Sequence, residues 1–599
     1  MIERTAAQLK RVIKRLGFEE DWYLIVLGAV IGVVTAFGAI AFITALEWLE
    51  HFAQEAQHEW VVWTLPLIPM AGALLTGLLV YFFAAAARGH GVPQVMHAII
   101  RGQGVIPARV GIVKTLASIC TVGSGGSAGA EGPIVQIGST VGSYVGQKLR
   151  IPRQHLTTLV GCGAAAGIAS VFNAPIAAVF FVLEILLRDF SLRTFSPIVI
   201  ASVLSAATTR SVTQESTALF EFTASGYEFS MIELPSYVVL GFVCAAASVL
   251  FSRVLHLGED LYEKLRLHPI IKPVSGALVL GMLGILFVFV VRATGESSEY
   301  PEFFGNGYPT ILRLIDPTSY GDGEAAIQSA VWLLMLLALF KMVGTTATLA
   351  SGGSGGVFAP SLFMGAAIGA AFGVALDAIG LPGSENPAPY ALVGMAAVIA
   401  GTTFAPLTAI LMLLELTQEP LVLLPVMLAS MISTIAARVW MRDSIYTMKL
   451  RQAGVMIGTG RDLTVLRKVQ VTSVHLTPLP DEPVYASDPL SKLVTLHANH
   501  RVPDFAVVDS SGRYLGMVTG ADMRTALIDR EAIPLLLVAE LVREDIPTLE
   551  LSETLDTVMD KFAQADVSSL CLVNAAGDPM GLITRADVMK RYYQALDES

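Results

Sequence analysis

One signature occurs twice inside apolar sequence. Ser124-Gly125-Gly126-Ser127 leads to Pro133, and Ser351-Gly352-Gly353-Ser354 leads to Pro360, both at an offset of 227 residues (351 less 124, 360 less 133). Lys114 and Lys341, Gly138 and Gly365, and Gly142 and Gly369 share that offset. Downstream, Ala174-Pro175 through Glu184 matches Ala405-Pro406 through Glu415 at an offset of 231 (415 less 184). Two halves, each with a glycine-broken helix in the same place, form the pattern of a membrane transporter or channel. Its binding site should lie where the broken helices meet.

Composition supports a membrane assignment. Hydrophobic residues make up 54% of the chain and charged residues 15%, and Tyr23 to Leu46 carries no charge at all. Runs of that length read as transmembrane helices, because lipid offers no partner to an unpaired backbone group. Shorter, glycine-rich runs read as re-entrant helices lining a cavity. After Arg442 the chain changes character: 37 of the last 157 residues are charged, against 52 of the first 442. The expected organisation is a cytoplasmic amphipathic N-terminal helix over 1–21, membrane repeats over 22–217 and 237–442, and a linker over 443–469. A soluble tail over 470–595 follows. Arg4, Lys10, Arg11, Lys14 and Arg15 precede the first span and place the N-terminus in the cytoplasm. Polar stretches at 213–235 and 292–323 read as exposed loops. The net charge of −11 says little about partners, and nothing points to nucleic acid. Cys120, Cys162, Cys244 and Cys571 have no metal-binding or disulfide spacing.

The tail has a repeat of its own. Phe505 to Asp509, Gly512, Gly516, Thr519 and Asp522 recur 65 residues on as Leu570 to Asn574, Gly577, Gly581, Thr584 and Asp587. Each unit reads strand, glycine turn, strand, then a helix capped by threonine. This resembles a tandem pair of CBS domains. The resemblance implies an adenine nucleotide whose ribose would be held by Thr519 and Asp522 or by Thr584 and Asp587. A helix cap alone is the plainer account of the same residues.

The Gly123–Pro133 segment turns backbone N–H groups inward before a helix that starts near Pro133. A helix N-terminus carries about half a positive charge and can replace the water around an anion without a trapping counter-charge. Val357-Phe358-Ala359-Pro360 repeats the device. Two such ends facing each other make an anion site, whereas a cation site needs carbonyl ends or carboxylate rings. The rival Gly-x-Ser-x-Gly reading would make Ser127 and Ser354 hydrolase nucleophiles. Two symmetric nucleophiles without a preceding strand make little chemical sense, so an enzyme is not expected.

Residues 22–450 resemble the CLC family of chloride channels and chloride/proton exchangers. Gly89-His90-Gly91-Val92-Pro93, Gly129-Ala130-Glu131-Gly132-Pro133 and Gly356-Val357-Phe358-Ala359-Pro360 stand in the order of that family's three motifs, and Tyr446 stands at its pore tyrosine. The resemblance implies an all-α membrane domain of two inverted repeats with re-entrant helices, joined to an α/β CBS pair. It also implies a homodimer with a separate pore in each subunit. Glu131 becomes the gate. His90, Gly91, Val357, Phe358 and Tyr446 become anion ligands. Lys114 and Lys341 either attract anions or bond helix carbonyls.

Three residues depart from the family pattern. His90 replaces a serine that bonds the inner anion, and Ala130 replaces an arginine. Ile185 stands where exchangers place a proton-passing glutamate, with Glu184 beside it as an alternative route. Isoleucine cannot relay a proton, which favours passive chloride conduction over chloride/proton exchange. A non-conducting, membrane-anchored nucleotide sensor is the remote alternative. No cofactor is required for permeation and no metal is expected. Short loops and the lack of an obvious organelle signal suggest a prokaryotic inner membrane, with both termini in the cytoplasm.

Overall fold

The computed structural model describes residues 22–58, 62–214, 219–220, 230–293, 300–320, 331–381, 386–452, 469–499, 504–526, 536–565 and 567–598. The expected amphipathic helix over 1–21, much of the 213–235 loop and 453–468 of the linker lie outside these residues. Two compact units are present, Met1–Met456 and Ile457–Ser599.

The first unit is helical. Among the described residues, nine helices are long and apolar enough to cross a membrane. Its first half runs α1 (Trp22–His58), α2 (Leu67–Phe83), α3 (Val92–Ile100), α4 (Ala108–Gly123), α5 (Glu131–Lys148), α6 (Arg153–Phe172), α7 (Pro175–Phe181) and α8 (Leu192–Thr213). The second half repeats the order as α9 (Leu234–Lys264), α10 (Ile271–Ala293), α11 (Tyr308–Ile315), α12 (Val331–Ala350), α13 (Phe358–Ala378), α14 (Ala388–Thr403), α15 (Pro406–Thr417) and α16 (Leu423–Trp440). A short α17 (Thr447–Gln452) ends the unit. The starts of α5 and α13 keep the 227 offset, and those of α7 and α15, and of α8 and α16, keep 231.

The shared glycines mark where helices touch backbone to backbone. A Cβ at Gly138 would sit 2.0 Å from Gly163 O, and one at Gly142 would sit 2.0 Å from Leu159 O. In the second half, a Cβ at Gly365 would meet Gly394 O at 2.3 Å and one at Gly369 would meet Tyr390 O at 2.0 Å. Apolar side chains gain nothing by leaving lipid, so close packing through small residues binds such helices.

The halves also cap each other. Glu184 lies in a π-helical extension of α7, Val182–Leu187. Its carboxylate accepts from Leu407 N (3.3 Å), Thr408 N (2.8 Å) and Thr408 Oγ1 (2.7 Å) at the start of α15. Glu415 of α15 accepts from Ile176 N (3.0 Å) and Ala177 N (2.7 Å) at the start of α7. Each acid satisfies amides that have no partner inside their own helix. Glu184, read from the sequence as an alternative proton route, is thus placed at a helix end with both oxygens accepting bonds.

The 292–323 stretch also departs from expectation. Phe303, Phe304, Gly305 and Gly307 are buried, and α11 follows. Gly305 (φ +57°) and Gly307 (φ +80°) reproduce the turn at Gly89 (φ +76°) and Gly91 (φ +86°), so this segment is the second half's copy of a pore loop. Positive φ is the reason all four are glycine.

In the second unit, β1 (Val484–Tyr485), β2 (Phe505–Val508) and β3 (Tyr514–Val518) form one sheet, with α18 (Leu490–Asn499) between β1 and β2 and α19 (Gly520–Ala526) after β3. β4 (Leu549–Glu550), β5 (Ser569–Val573) and β6 (Pro579–Thr584) form a second, with α20 (Leu555–Ala565) and α21 (Arg585–Glu598) in the same places. Both sheets pair their first strands parallel and their last two antiparallel. A bulge falls between Val507 and Val508 in one and between Leu572 and Val573 in the other, again 65 apart.

Candidate anion site

The three motifs are interleaved by backbone bonds. Gly129 N donates to Gly356 O (3.0 Å) and Gly356 N to Gly129 O (2.7 Å). Gly89 N donates to Gly353 O (3.2 Å) and Gly355 N to Gly89 O (3.4 Å). The starts of α3, α5 and α13 are thereby drawn together. A Cβ at Gly132 would lie 1.9 Å from His90 O, so only glycine admits this approach.

Glu131 occupies the meeting point. Its residue is 4% exposed, and its Oε1 accepts from Ala359 N at 2.7 Å in the first turn of α13. The Phe358 amide lies beside the same carboxylate, close enough to act on it electrostatically. Val357 is the N-cap of α13 and Pro360 has no N–H, so the first usable donors are Phe358 and Ala359. A Cβ at Gly129 would fall 2.0 Å from Glu131 Oε2, and one at Gly356 would fall 2.6 Å from Oε1. The carboxylate therefore sits in a slot walled by two glycines. Oε2 is buried and has no partner among the described residues, a costly arrangement for a carboxylate oxygen.

The serines of the doubled signature bond across the repeats. Ser127 Oγ pairs with Thr345 Oγ1 (3.2 Å) and Ser354 Oγ with Ser118 Oγ (2.8 Å). Ser127 N donates to Thr348 Oγ1 and Ser354 N to Thr121 Oγ1, each at 3.2 Å. Neither hydroxyl meets a histidine in these bonds, so they hold the crossing together rather than poise a nucleophile.

Lys114 and Lys341 bond carbonyls. Lys114 Nζ donates to Ala87 O (3.2 Å) and to Gly89 O. Lys341 Nζ donates to Phe303 O (3.1 Å) and Gly305 O (2.9 Å). Each ammonium pins the pore loop of its own half.

Tyr446 is 1% exposed. Ile445 N donates to Thr402 O (3.0 Å), and Ser444 and Thr447 cap one another around it. The tyrosine lies close enough to interact electrostatically with Glu131. Ile185 is 4% exposed in the π-helical segment.

His90 is 1% exposed, and its Nε2 lies 3.2 Å from Glu259 Oε1. Glu259 in turn accepts from Lys449 Nζ at 2.8 Å. Neither Glu259 nor Lys449 was found by sequence reasoning. Glu259 stands in an ordinary-looking charged end of α9, 169 positions from its partner.

In the tail, Thr519 and Asp522 form a capping box. Thr519 Oγ1 donates to Asp522 Oδ2 (2.6 Å) and Asp522 N donates to Thr519 Oγ1 (3.2 Å). Thr584 and Asp587 repeat it at 2.5 and 3.1 Å. These bonds engage Oδ2 and leave Oδ1 of each aspartate outside the cap.

Two inverted halves, broken helices with amides turned to a buried centre and a buried carboxylate seated there define a membrane anion transporter. Residues 72–438 match the family model described as voltage gated chloride channel, and residues 538–594 match that of the CBS domain. A protein of Ralstonia nicotianae named as a ClcB-like chloride channel is 33% identical, over 71% of this chain and 96% of that one. The voltage-gated ClC-type chloride channel ClcB of Escherichia coli K12 is 29% identical, over 72% and 99%. Among solved structures, a eukaryotic CLC transporter shares the fold with a TM-score of 0.66 at 20% identity, covering 94% of this chain and 97% of its own. A slow cyanobacterial Cl⁻/H⁺ antiporter does so with a TM-score of 0.61 at 24%, covering 72% and 97%. The chain belongs to the CLC family of chloride channels and transporters and carries a C-terminal CBS domain.

Proposed function

We propose that this CLC protein conducts chloride passively through a separate pore in each subunit of a homodimer, with Glu131 as the gate. The carrying observation is the Glu131 carboxylate seated on the Phe358 and Ala359 amides between Gly129 and Gly356. An ionised carboxylate there competes with chloride for the same donors, and protonation or displacement frees them. Tyr446, Val357 and the Gly91 turn line the rest of the path. Ile185 is apolar and Glu184 is a helix cap, which supports conduction without coupled protons. Chloride/proton exchange is the second reading, favoured by the fold shared with the cyanobacterial antiporter. Both termini would face the cytoplasm at a bacterial inner membrane. The CBS pair would hold adenine nucleotide through Thr519, Asp522, Thr584 and Asp587.

Chloride efflux from liposomes holding the purified protein, with proton movement recorded together, separates the readings. Rapid chloride loss without stoichiometric proton uptake is expected. Proton uptake in fixed ratio to chloride, persisting against a proton gradient, establishes exchange instead.

A further inference from the structure

Lys449, Glu259 and His90 form a bonded chain, reaching a buried imidazole, that gating by Glu131 does not use. Lys449 has a side chain 36% exposed and borders a cavity of about 320 Å³ that Pro93, Gln94 and Gln136 also line. It borders a smaller cavity beside Arg88, Gly89 and Glu259 as well. From that half-open end the chain leads inward to a fully buried imidazole in the first pore loop. His90 Nδ1 is buried and has no partner among the described residues. A buried ring nitrogen of this kind calls for a ligand that the protein itself does not supply.

The chemistry of the ring decides what that ligand can be. Lys449 keeps Glu259 a carboxylate, and a carboxylate oxygen at 3.2 Å assigns the proton of a neutral imidazole to Nε2. Nδ1 then presents a lone pair, which repels an anion. With a second proton the ring donates from both nitrogens, and Nδ1–H becomes an anion ligand. Charge balance points the same way. Lys449 and Glu259 cancel, so the chain with neutral His90 carries no net charge. An imidazolium alone would leave a positive charge in a low-dielectric site, and an anion alone would leave a negative one. Together they leave none.

We propose that Glu259 and Lys449 make His90 a proton-dependent anion ligand, so that one anion and one proton bind together at the α17 end of the pore. The proton enters by the cavity beside Lys449 and goes to Nδ1. No bond other than N–H forms, and the anion accepts from it. Glu259 is a positioning residue that fixes the ring and stabilises its charged form. The other charged and titratable groups around the ring are Lys114 of α4, bonded to Gly89 O, and His256 of α9, whose two ring nitrogens are unpartnered. From α5 comes Glu131, whose carboxylate is turned to α13. Lys114 opposes the imidazolium and favours the anion, which moves proton uptake to lower pH without changing the coupling between proton and anion.

This inference rests on the permeation reading, and the test keeps the two apart. Full-length protein carrying Glu131→Gln removes the gate's own proton. Chloride titrations by calorimetry, in two buffers of different ionisation heat, then report protons taken up per chloride. Above the pH at which free imidazole titrates, roughly one proton per chloride is expected, with Kd rising about tenfold per pH unit. Adding His90→Ser should retain chloride binding and abolish the proton uptake. Glu259→Gln should weaken both, and Lys449→Met, on a half-exposed side chain, should move the uptake to higher pH. Chloride binding without proton uptake in the Glu131→Gln parent, or uptake unchanged by His90→Ser, overturns the inference and leaves permeation standing. No chloride binding at all overturns both.

Discussion

Glu131 differs from Glu184 and Glu415 although all three set a carboxylate against the N-terminus of a helix in the opposite half. Glu184 and Glu415 are a symmetric pair: each caps the helix that carries the other, and every oxygen has a donor. Glu131 has no such mate. The residue 227 positions on is Phe358, whose ring packs against Phe172 with centroids 5.7 Å apart. Glu131 also keeps one oxygen without a partner. Where the repeat is obeyed, a half-buried acid closes a helix end and belongs to the fold. Where it is broken, the acid occupies a place that something else can take.

The comparison is sharpest under neutralisation. Glu131→Gln should raise chloride efflux about tenfold or more, the rate change that accompanies ~1.4 kcal/mol at a gate, and should remove the part of the pH dependence of flux that Glu131 sets, leaving only the part due to His90. A wild-type pH response in that variant removes Glu131 from the gate. The sign follows from competition: the charged carboxylate blocks, so flux falls as pH rises while Glu131 is present. Next in size, Glu184→Ala or Glu415→Ala should cost about 2 kcal/mol through stranded helix-end amides, seen as a lower unfolding temperature in detergent. Flux per folded molecule should hardly change. If instead flux collapses while stability holds, the symmetric pair is functional and the distinction fails.

Gly129→Ala tests the slot itself. Its Cβ would fall 2.0 Å from Glu131 Oε2 and should expel a charged carboxylate, raising flux several-fold with Glu131 still present. The smallest effect is expected in the tail. Asp522→Ala or Asp587→Ala removes one arm of a capping box, costing about 1 kcal/mol of tail stability. Calorimetry with adenine nucleotide on the same variants shows whether either aspartate also holds ribose. Equal binding in both variants leaves them as caps alone.

Much of this was legible because symmetry repeats at a fixed offset. The glycines at 138, 142, 365 and 369, the acids at 184 and 415 and the tail units all announce themselves by 227, 231 or 65 residues. Glu131 was legible for the opposite reason, as a lone acid inside a recognisable helix start. What stayed hidden has no periodic signal. The loop at Gly305 and Gly307 is polar in composition yet buried, because Lys341 satisfies its carbonyls. Glu259 looks like an interfacial charge at the end of a helix, and only folding brings it to His90. Ion pairs between distant segments leave no local pattern, so a bonded Lys449–Glu259–His90 chain is visible only in three dimensions.

The reciprocal caps carry a consequence for how the protein is made. Ile176 N finds its acceptor on Glu415, 239 residues later in the chain. At about 5–20 residues per second, that residue leaves the ribosome roughly 12–48 s afterwards. Throughout that interval the start of α7 stands in the bilayer with no acceptor from its own half. The nascent first half must wait, held by translocon, lipid headgroups or water, until its sequel arrives. Synthesis of this protein is therefore exposed to a pause that no property of the finished fold reveals, and slowing translation between residues 217 and 415 should lengthen it.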